Sequence, residues 1–397
     1  MYLFKKGIKM KWIIIIWGLL SLVGCQSKPE GFVIKGEFQG APENEWVYLT
    51  NTGQTVYYDS VQLKKGKFEF KGKVDYPELR SITYFKDPSQ RIYGWDKIME
   101  LPIYVENSTI RVSLPFAGLL SKLEKKVPGN LRVEGSHAHD LYAKYKERVT
   151  PFVVKDDSLF DAYRRAYYYK KGTEDDVFRC VRGMDAMRDS VFAVGVEFIR
   201  QHQESPVALY VAKNLRVRAY DRDKAKEVVG FLPENVKATP MGQQAMKALL
   251  EQPLYVGDVL PDFDVLNVDL QTVKLSMLLK KGHYTLVELW ASWCGPCRAD
   301  IPHLKETYQR YHEKGFEMVS ISIDDDMEAW QKAVKEEGMP WNQVCGANGK
   351  GYKKECMDLF GVNGVPSCVL IDKEGRVIST NARGGWLNEK LAALFKE

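Results

Sequence analysis

The sequence is poor in the residues from which metal centres are usually built. Its 397 residues include 6 histidines and 7 cysteines, and the cysteines form one closely spaced pair, Cys294 and Cys297. A zinc site of the usual kind needs a second close pair, which the spacing of the other cysteines does not provide. His137 and His139 have no acidic or cysteine partner in a ligand pattern, and residues 324–326 lack the rest of a calcium loop. The sequence therefore predicts no metal site.

The sequence also lacks an apolar run that is long enough to span a bilayer. The longest candidate, from Trp12 to Gly24, has about 13 residues, against the roughly 20 that a spanning helix needs. Four lysines precede it, as in a cleaved signal peptide. It ends in Leu22-Val23-Gly24-Cys25, which resembles the lipobox of bacterial lipoproteins. We therefore expect a signal peptide at 1–24, lipid attachment at Cys25 and a flexible tether at 25–31; an ordinary secretory signal with a chance cysteine is the alternative.

No large excess of charge is present either. The formal net charge is +5, and four of the lysines lie in the expected signal peptide. Nothing in this balance indicates a nucleic-acid partner. Gln26 follows Cys25 where many lipoproteins of the inner membrane have aspartate, and no acidic run follows. The likeness to lipoproteins thus implies a lipid anchor in the outer membrane that faces the periplasm.

The length predicts two or three structural units, since single domains usually have about 100 to 200 residues. Residues 32–115 show short alternating runs such as Lys67 to Lys71, in which Phe68 and Phe70 share one face, and predict a small all-β sandwich. Residues 116–252 are predicted to be mainly helical, with helix starts at Thr173, Ser205 and Thr239. Residues 253–397 alternate strand and helix, which indicates a mixed sheet covered by helices.

The most informative motif is Cys294-Gly295-Pro296-Cys297, between an apolar strand and a helical stretch. Two thiols at this spacing can close a disulfide across one helical turn. The unpaired N–H groups and the dipole at a helix start favour a thiolate at Cys294, the nucleophile toward disulfides. Cys297 lies one turn further in, is shielded, and can resolve the mixed disulfide that Cys294 forms. The motif predicts a dithiol redox enzyme.

A buried acid is predicted beneath this pair. Glu288 lies six residues before Cys294 in an otherwise apolar strand, Tyr284 to Trp290. Burial raises the pKa of a carboxyl group, so that Glu288 can exchange a proton with Cys297. The alternative is that Glu288 faces solvent at a sheet edge.

The residues around the pair carry a family resemblance. Residues 286–297, Leu-Val-Glu-Leu-Trp-Ala-Ser-Trp-Cys-Gly-Pro-Cys, resemble the active-site strand and turn of thioredoxins, and Val365-Pro366-Ser367 resembles their cis-proline loop. The lead-in at 256–263 and the strand at 320–324 resemble those of the TlpA/ResA-type thioredoxin-like proteins of the bacterial envelope. This resemblance covers roughly the last third of the chain. Residues 32–115 resemble the β-rich domain of unknown function that often precedes such domains.

The resemblance implies a thioredoxin fold and a thiol:disulfide oxidoreductase whose one redox centre is the Cys294/Cys297 disulfide, with no other cofactor. It implies that Pro366 is cis and lies against the cysteine pair, and that the backbone of Val365 is free to pair with an extended substrate. Trp293 is expected to form a wall of the site beside an exposed Cys294 sulfur. The substrate-binding residues implied in this way are Trp293, Gly295, Pro296 and Val365.

The Gly-Pro dipeptide between the cysteines is that of reducing thioredoxins, whose potential lies near roughly −270 mV. We therefore expect reduction of disulfides in envelope proteins, as in cytochrome c maturation, with electrons from a membrane thiol reductase. An oxidase or isomerase is the alternative within this class. A thiol peroxidase is disfavoured, because Val287 and Ala291 stand where proline and a hydroxyl residue are needed. A non-enzymatic binding protein is disfavoured by the intact cysteine pair.

Overall fold

The computed structural model describes residues 30–52, 56–87, 95–215, 221–251, 253–346 and 352–396. The predicted signal peptide, the lipid-attachment residue Cys25 and the tether up to residue 29 lie outside these ranges. Among the helices described, none is both long and apolar enough to cross a membrane.

The first part of the chain is a β-sandwich, as predicted. Its two sheets have four strands each, in the orders β4-β1-β7-β8 and β3-β2-β5-β6. Alternation builds the core, because Phe68 and Phe70 point inward from β4 while Glu69 is exposed. The strands are β1 (Phe32–Gln39), β2 (Trp46–Asn51), β3 (Tyr57–Gln62), β4 (Lys67–Gly72), β5 (Glu78–Phe85), β6 (Ile98–Val105), β7 (Thr109–Pro115) and β8 (Arg132–Glu134).

The predicted end of the sandwich at residue 115 is wrong. Strand β8 follows residue 115 by a long connection and pairs antiparallel with β7, with Arg111 opposite Glu134 and Ser113 opposite Arg132. Three residues are too few to show a strand period in the sequence. The sandwich therefore extends to Glu134, and the first helix begins directly after it at His137.

The middle of the chain is helical, and the capping residues found in the sequence start three of its helices. Thr173 forms a capping box with Asp176, whereas Ser205 and Thr239 each cap a helix with proline in its first turn. The two long helices pack against each other as a hairpin. The helices are α1 (His137–Tyr167), α2 (Glu174–Gln201), α3 (Pro206–Asn214), α4 (Arg222–Gly230), α5 (Glu234–Lys237) and α6 (Pro240–Leu250).

The last part has the predicted thioredoxin-like α/β architecture. Its seven-stranded sheet has the order β10-β9-β13-β12-β11-β14-β15, in which β11 and β12 are parallel and β14 is antiparallel to β11. The strands are β9 (Asp264–Asn267), β10 (Thr272–Lys274), β11 (Tyr284–Trp290), β12 (Phe316–Ser322), β13 (Asn342–Cys345), β14 (Ser367–Ile371) and β15 (Val377–Ser379). The helices are α7 (Gly295–Tyr311), α8 (Met327–Glu337), α9 (Tyr352–Phe360) and α10 (Gly385–Phe395).

Two hydrophobic cores lie on the two faces of this sheet. Leu286 and Trp290 of β11 face one core together with α7, α8 and α10, whereas Val287 and Leu289 face the other core with α9. Because side chains alternate along a strand, Glu288 shares the face of Leu286 and Trp290. This places Glu288 in the same layer as the two active-site cysteines, which belong to the first core.

Candidate active site

The cysteine pair lies at the turn between β11 and α7. Cys294 is the N-cap residue of α7, and its sulfur accepts a hydrogen bond from the backbone N–H of Cys297 at 3.2 Å. The two cysteines form a disulfide. An N-capping sulfur near the positive end of a helix is stabilised as an anion, which supports Cys294 as the thiolate of the reduced pair.

The two cysteines differ less in burial than the sequence predicts. Cys294 is only 4% exposed and Cys297 is fully buried, whereas the neighbouring Trp293 is 61% exposed. The prediction of an exposed sulfur at Cys294 is therefore wrong for the oxidised pair, because the residue packs into the first core of the domain. Cys294 is nevertheless the more exposed of the two cysteines, which is the predicted order.

The turn that holds the pair leaves room beside it. Pro296 occupies the first turn of α7, where its missing N–H costs no hydrogen bond. A Cβ added at Gly295 would meet no atom within 4 Å. The helix begins at Gly295, directly after Cys294. The residues between the cysteines thus offer open space to a substrate at the helix start.

The proline loop has the predicted conformation. The peptide bond between Val365 and Pro366 is cis, directly before β14. The side chain of Val365 packs against the core that contains both cysteines. In the part of the chain described, the backbone of Val365 forms no strand pairing. This is the arrangement expected for a loop that pairs with an extended substrate, a role that stays a proposal.

Glu288 is buried, as predicted, and is 1% exposed. Burial raises its pKa from 4.5 to about 7, against the opposing effect of a hydrogen bond from Ser320. Ser320 Oγ donates to Glu288 Oε2 at 2.8 Å and accepts from Trp341 Nε1 at 2.8 Å. The carboxyl group is thus held in one orientation, with a pKa at which it gives or takes a proton near neutrality.

Comparisons with known proteins agree with this geometry. Residues 255–385 match the family described as Redoxin, and residues 32–142 match a domain of unknown function, DUF4369. The thiol-disulfide oxidoreductase ResA of Bacillus thuringiensis (strain Al Hakam) is 30% identical over 32% of this chain and 70% of that protein. ResA of Oceanobacillus iheyensis is 32% identical over 31% of this chain and 62% of that protein. The chain belongs to the ResA family of thiol-disulfide oxidoreductases.

Solved structures of similar sequence carry related names. The thioredoxin domain of a thiol-disulfide oxidoreductase from Bacteroides vulgatus is 30% identical, over 36% of this chain and 99% of that chain, with a TM-score of 0.33. A thiol:disulfide interchange protein from Bacteroides sp. is also 30% identical, over 36% of this chain and 93% of that chain, with a TM-score of 0.33. The relatives and the family match together identify the chain as a thiol-disulfide oxidoreductase.

A buried ion pair that the sequence does not predict lies close to Glu288 in this ResA-family site. Arg383 Nε donates to Asp300 Oδ2 at 2.6 Å, and Asp300 is 2% exposed. Asp300 raises the pKa of Glu288 and Arg383 lowers it, both by smaller amounts than burial. The signal in the sequence was Asp300 itself, an acid one turn after Cys297 on the face of α7 that packs inward.

The helical hairpin covers this ion pair. Tyr163 and Tyr167 of α1 stack on each other with ring centroids 5.3 Å apart, and Tyr167 stacks on His303 of α7 at 4.4 Å. Tyr163 Oη accepts a hydrogen bond from the backbone N–H of Gly385 at 3.1 Å. Burial raises the pKa of Tyr163, Tyr167 and Tyr168. The middle part of the chain therefore contributes to the surroundings of the redox centre.

Asp324 is a second missed residue. The sequence predicts only that Asp324 ends a strand. In the structure its carboxylate accepts hydrogen bonds from Ser292 N at 2.8 Å and Ser292 Oγ at 2.6 Å. Ser322 Oγ also donates to it, at 2.5 Å. Asp324 is 1% exposed and ties the end of β12 to the turn that leads into Cys294. It thereby fixes the position of the turn.

The four remaining cysteines, Cys180, Cys345, Cys356 and Cys368, are free and buried. Cys345 and Cys356 form no disulfide, because the two lie in cores on opposite faces of the sheet. Cys345 belongs to β13. Cys368 pairs across the sheet with Glu288, and burial and Glu288 both raise its pKa.

Across the described ranges, no cluster of three or more His, Cys, Asp or Glu side chains suits a metal ion.

Proposed function

We propose that the chain is a lipid-anchored enzyme of the cell envelope that reduces disulfides in other envelope proteins. The observation that carries the proposal is the arrangement of a helix-capping Cys294, a buried Cys297 and a buried carboxyl with a pKa of about 7 in one layer. The substrates, the direction and the anchor are parts of the proposal.

The chemistry follows from these positions. In the reduced enzyme, the thiolate of Cys294 attacks a substrate disulfide, and the departing substrate sulfur takes a proton from solvent. Cys297 then gives its proton to the carboxylate of Glu288 and attacks the sulfur of Cys294. The second substrate sulfur leaves and is protonated. The substrate has gained two electrons and two protons, and Cys294 and Cys297 are joined as the disulfide.

The residues between the cysteines support the direction of reduction. Gly295 and Pro296 form the dipeptide of reducing thioredoxins, whose potential is near roughly −270 mV against about −120 mV for a strong oxidant. The buried Cys297 is shielded from external thiols and disulfides and is placed to resolve. A membrane thiol reductase is the proposed electron donor, since the disulfide formed in each cycle has to be reduced again.

The location rests on the sequence of the N-terminus. The lysines and short apolar run of the signal peptide predict export, the lipobox ending at Cys25 predicts a lipid anchor, and Gln26 favours the outer membrane.

A thiol peroxidase is not favoured, because Val287, at the position that needs proline, is fully buried on the sheet face away from the cysteines.

The redox state of the pair in living cells tests the direction. We expect most of the protein to be reduced when thiols are trapped by rapid acid quenching and then labelled with a maleimide that shifts the mobility of the chain. Cys294→Ser serves as the matched control, because it cannot form the disulfide. A mainly oxidised pair in wild-type cells would contradict reduction and indicate an oxidase.

A further inference from the structure

A second concave site lies far along the chain from the redox centre, between the β-sandwich and helix α1. Its volume is about 530 Å³, within the range of about 300 to 1,000 Å³ that small-molecule sites usually have. Strand β6, the connection before β8 and one face of α1 line it. None of the residues of the thioredoxin-like domain contributes to its walls.

The lining of the cavity extends along α1. The helix residues that line it, from His139 through Tyr142, Ala143 and Lys146 to Val153, recur at the spacing of one helix face. At 1.5 Å per residue, the distance from His139 to Val153 is about 21 Å. The walls opposite the helix include apolar side chains, among them Leu101, Leu131 and Val133. An elongated apolar body fits such a space.

Two lysine side chains that line this cavity form no ion pair within the described residues. Lys146 is half-buried on α1 and Lys125 is exposed in the connection before β8. Neither ammonium group has a carboxylate or hydrogen-bond partner in the part of the chain that the structure describes. Burial lowers the pKa of Lys146, and the charge of Lys125 lowers it further. Two like charges that face one cavity without a counter-ion favour the binding of an anion.

The carboxylates that line the cavity do not act as counter-ions to Lys125 and Lys146. Glu100 accepts a hydrogen bond from Ser81 Oγ at 2.8 Å, and Glu124 accepts one from Ser121 N at 3.2 Å. The other two acids in the lining, Glu134 and Asp140, are exposed.

A donor lies at the end of the cavity near the start of α1. His139 is 6% exposed, and its Nδ1 accepts a hydrogen bond from the backbone N–H of Tyr104 at 3.3 Å. Nδ1 as the acceptor requires that Nε2 carries the proton. Burial lowers the pKa of His139 to about 4, so that the ring is neutral at physiological pH. His139 therefore adds a neutral donor to the lining and no charge.

We propose that this cavity binds an anionic amphiphile, that is, a carboxylate or phosphate group on a single unbranched apolar chain. The headgroup lies between Lys125 and Lys146, and the apolar chain lies along α1 against Leu101 and Val133. The proposal assigns a binding function to the junction of the β-sandwich and the helical part. It does not depend on the redox reaction of the last domain.

Calorimetric titration of the full chain with decanoate tests the proposal. We expect saturable binding of one decanoate per chain, comparable binding of decyl phosphate, and binding of decanol that is weaker by about tenfold or more, because decanol lacks the charge. Acetate alone should bind much more weakly, since it lacks the apolar chain. If decanoate and decyl phosphate differ in affinity, the tighter ligand identifies the headgroup, carboxylate or phosphate, that the site prefers.

Three variants complete the test. Lys146→Gln should weaken the binding of decanoate about tenfold or more, whereas Lys144→Gln, on the exposed side of the same helix, should leave it unchanged. Ala143→Trp fills the cavity without altering a charge and should weaken all the chain-bearing probes. Unchanged circular dichroism and thermal unfolding of the full chain show that each variant is folded. Equal binding of decanol and decanoate, an unaffected Lys146→Gln variant, or no saturable binding at millimolar decanoate would overturn the proposal.

Discussion

At the scale of single residues, the burial of Glu288 affects both the stability of the fold and the proposed proton transfer. A carboxyl group in a central strand is a cost to the fold unless it is neutral or paired. Here burial raises its pKa to about 7, and the hydrogen bond from Ser320 keeps it oriented. The environment that disfavours the charge is therefore the one that suits proton exchange near neutral pH.

The first prediction concerns the rate. Glu288→Gln keeps the shape and removes the titrating group, so reduction of a protein disulfide should slow by at least about tenfold at pH 8. The rate of the wild type should rise with pH through about 7, because the carboxylate form accepts the proton of Cys297, and the variant should lack this rise. Single-turnover kinetics from pH 6 to 9 measure both. Glu313→Gln, an exposed acid after α7, is the control, and an identical profile in Glu288→Gln would exclude the role.

The second prediction concerns stability. The pKa of Glu288 is about 7 in the folded state, against the ordinary 4.5. Between pH 4.5 and 7 the folded state therefore keeps a proton on Glu288 that the unfolded state has lost. The stabilising contribution of Glu288 to the free energy of unfolding is complete below about pH 4.5 and is lost as the pH rises through 7. Relative to Glu288→Gln, the wild type should lose on the order of 3 kcal/mol between pH 4.5 and 8. Native-state hydrogen exchange of β11 at both pH values measures the difference, and a gap that does not change with pH contradicts the raised pKa.

Much of the site at this scale could be predicted from the sequence. The cysteine pair, Glu288 and the cis-proline stand in local motifs, and a lone acid in an apolar strand indicates burial. Ser320, Asp300 and Arg383 could not be assigned, because their roles arise from contacts between segments far apart in sequence. The low exposure of Cys294 was also missed, since it depends on how the turn packs into the core.

At the scale of elements, periodicity and caps located most strands and helices. The predicted strand at 284–290 agrees with β11, and the predicted helix starts at Thr173, Ser205 and Thr239 agree with α2, α3 and α6. Strands β8 and β13 were missed because the first has three residues and the second is a short run without clear alternation. Short strands are fixed by their partners in the sheet, which a local pattern does not reveal.

The contact between the helical hairpin and the last domain is another feature that the sequence did not predict. It depends on a close approach at the start of α10, where a Cβ on Gly385 would lie 2.6 Å from Val177 Cγ1 and 2.9 Å from the ring of Tyr163. A Cβ on Gly384 would lie 2.3 Å from Tyr163 Oη. Only residues without a side chain allow the backbone to pack so closely against the hairpin.

The third prediction tests this contact. Gly385→Ala should destabilise the protein by about 1 to 3 kcal/mol, because the added methyl group overlaps Val177 and Tyr163. The control is Gly230→Ala at the end of α4, where a Cβ meets no atom within 4 Å. It should be neutral, or stabilising by up to about 1 kcal/mol. Thermal unfolding of the two variants measures the difference, and equal melting temperatures would contradict the close packing.

At the scale of the whole molecule, three units lie in sequence behind an N-terminus that we predict to be lipidated. The helical part contacts both neighbours, since Tyr104 N of the sandwich donates to His139, and Trp386 Nε1 of the last domain donates to Asp185 Oδ1 at 3.1 Å. The helical part therefore connects the β-sandwich to the redox domain through packed structure.

The fourth prediction concerns the anchor. Cells grown with labelled palmitate should incorporate label into the wild-type chain, and Cys25→Ala should abolish it, because the lipobox provides the acceptor thiol at Cys25. Cys180→Ala, at a buried cysteine of the helical part, is the matched control and should be labelled as the wild type is. Equal labelling of Cys25→Ala would contradict the lipoprotein assignment.

The central claim is that Cys294 attacks substrate disulfides and that Cys297 resolves the mixed disulfide. The most direct measurement is the recovery of covalent adducts from the envelope after expression of Cys297→Ser or Cys294→Ser, followed by mass spectrometry of the partners. We expect abundant mixed disulfides with Cys297→Ser and few with Cys294→Ser, because Cys297 is fully buried. Equal trapping by both variants, or trapping by Cys294→Ser alone, would contradict it.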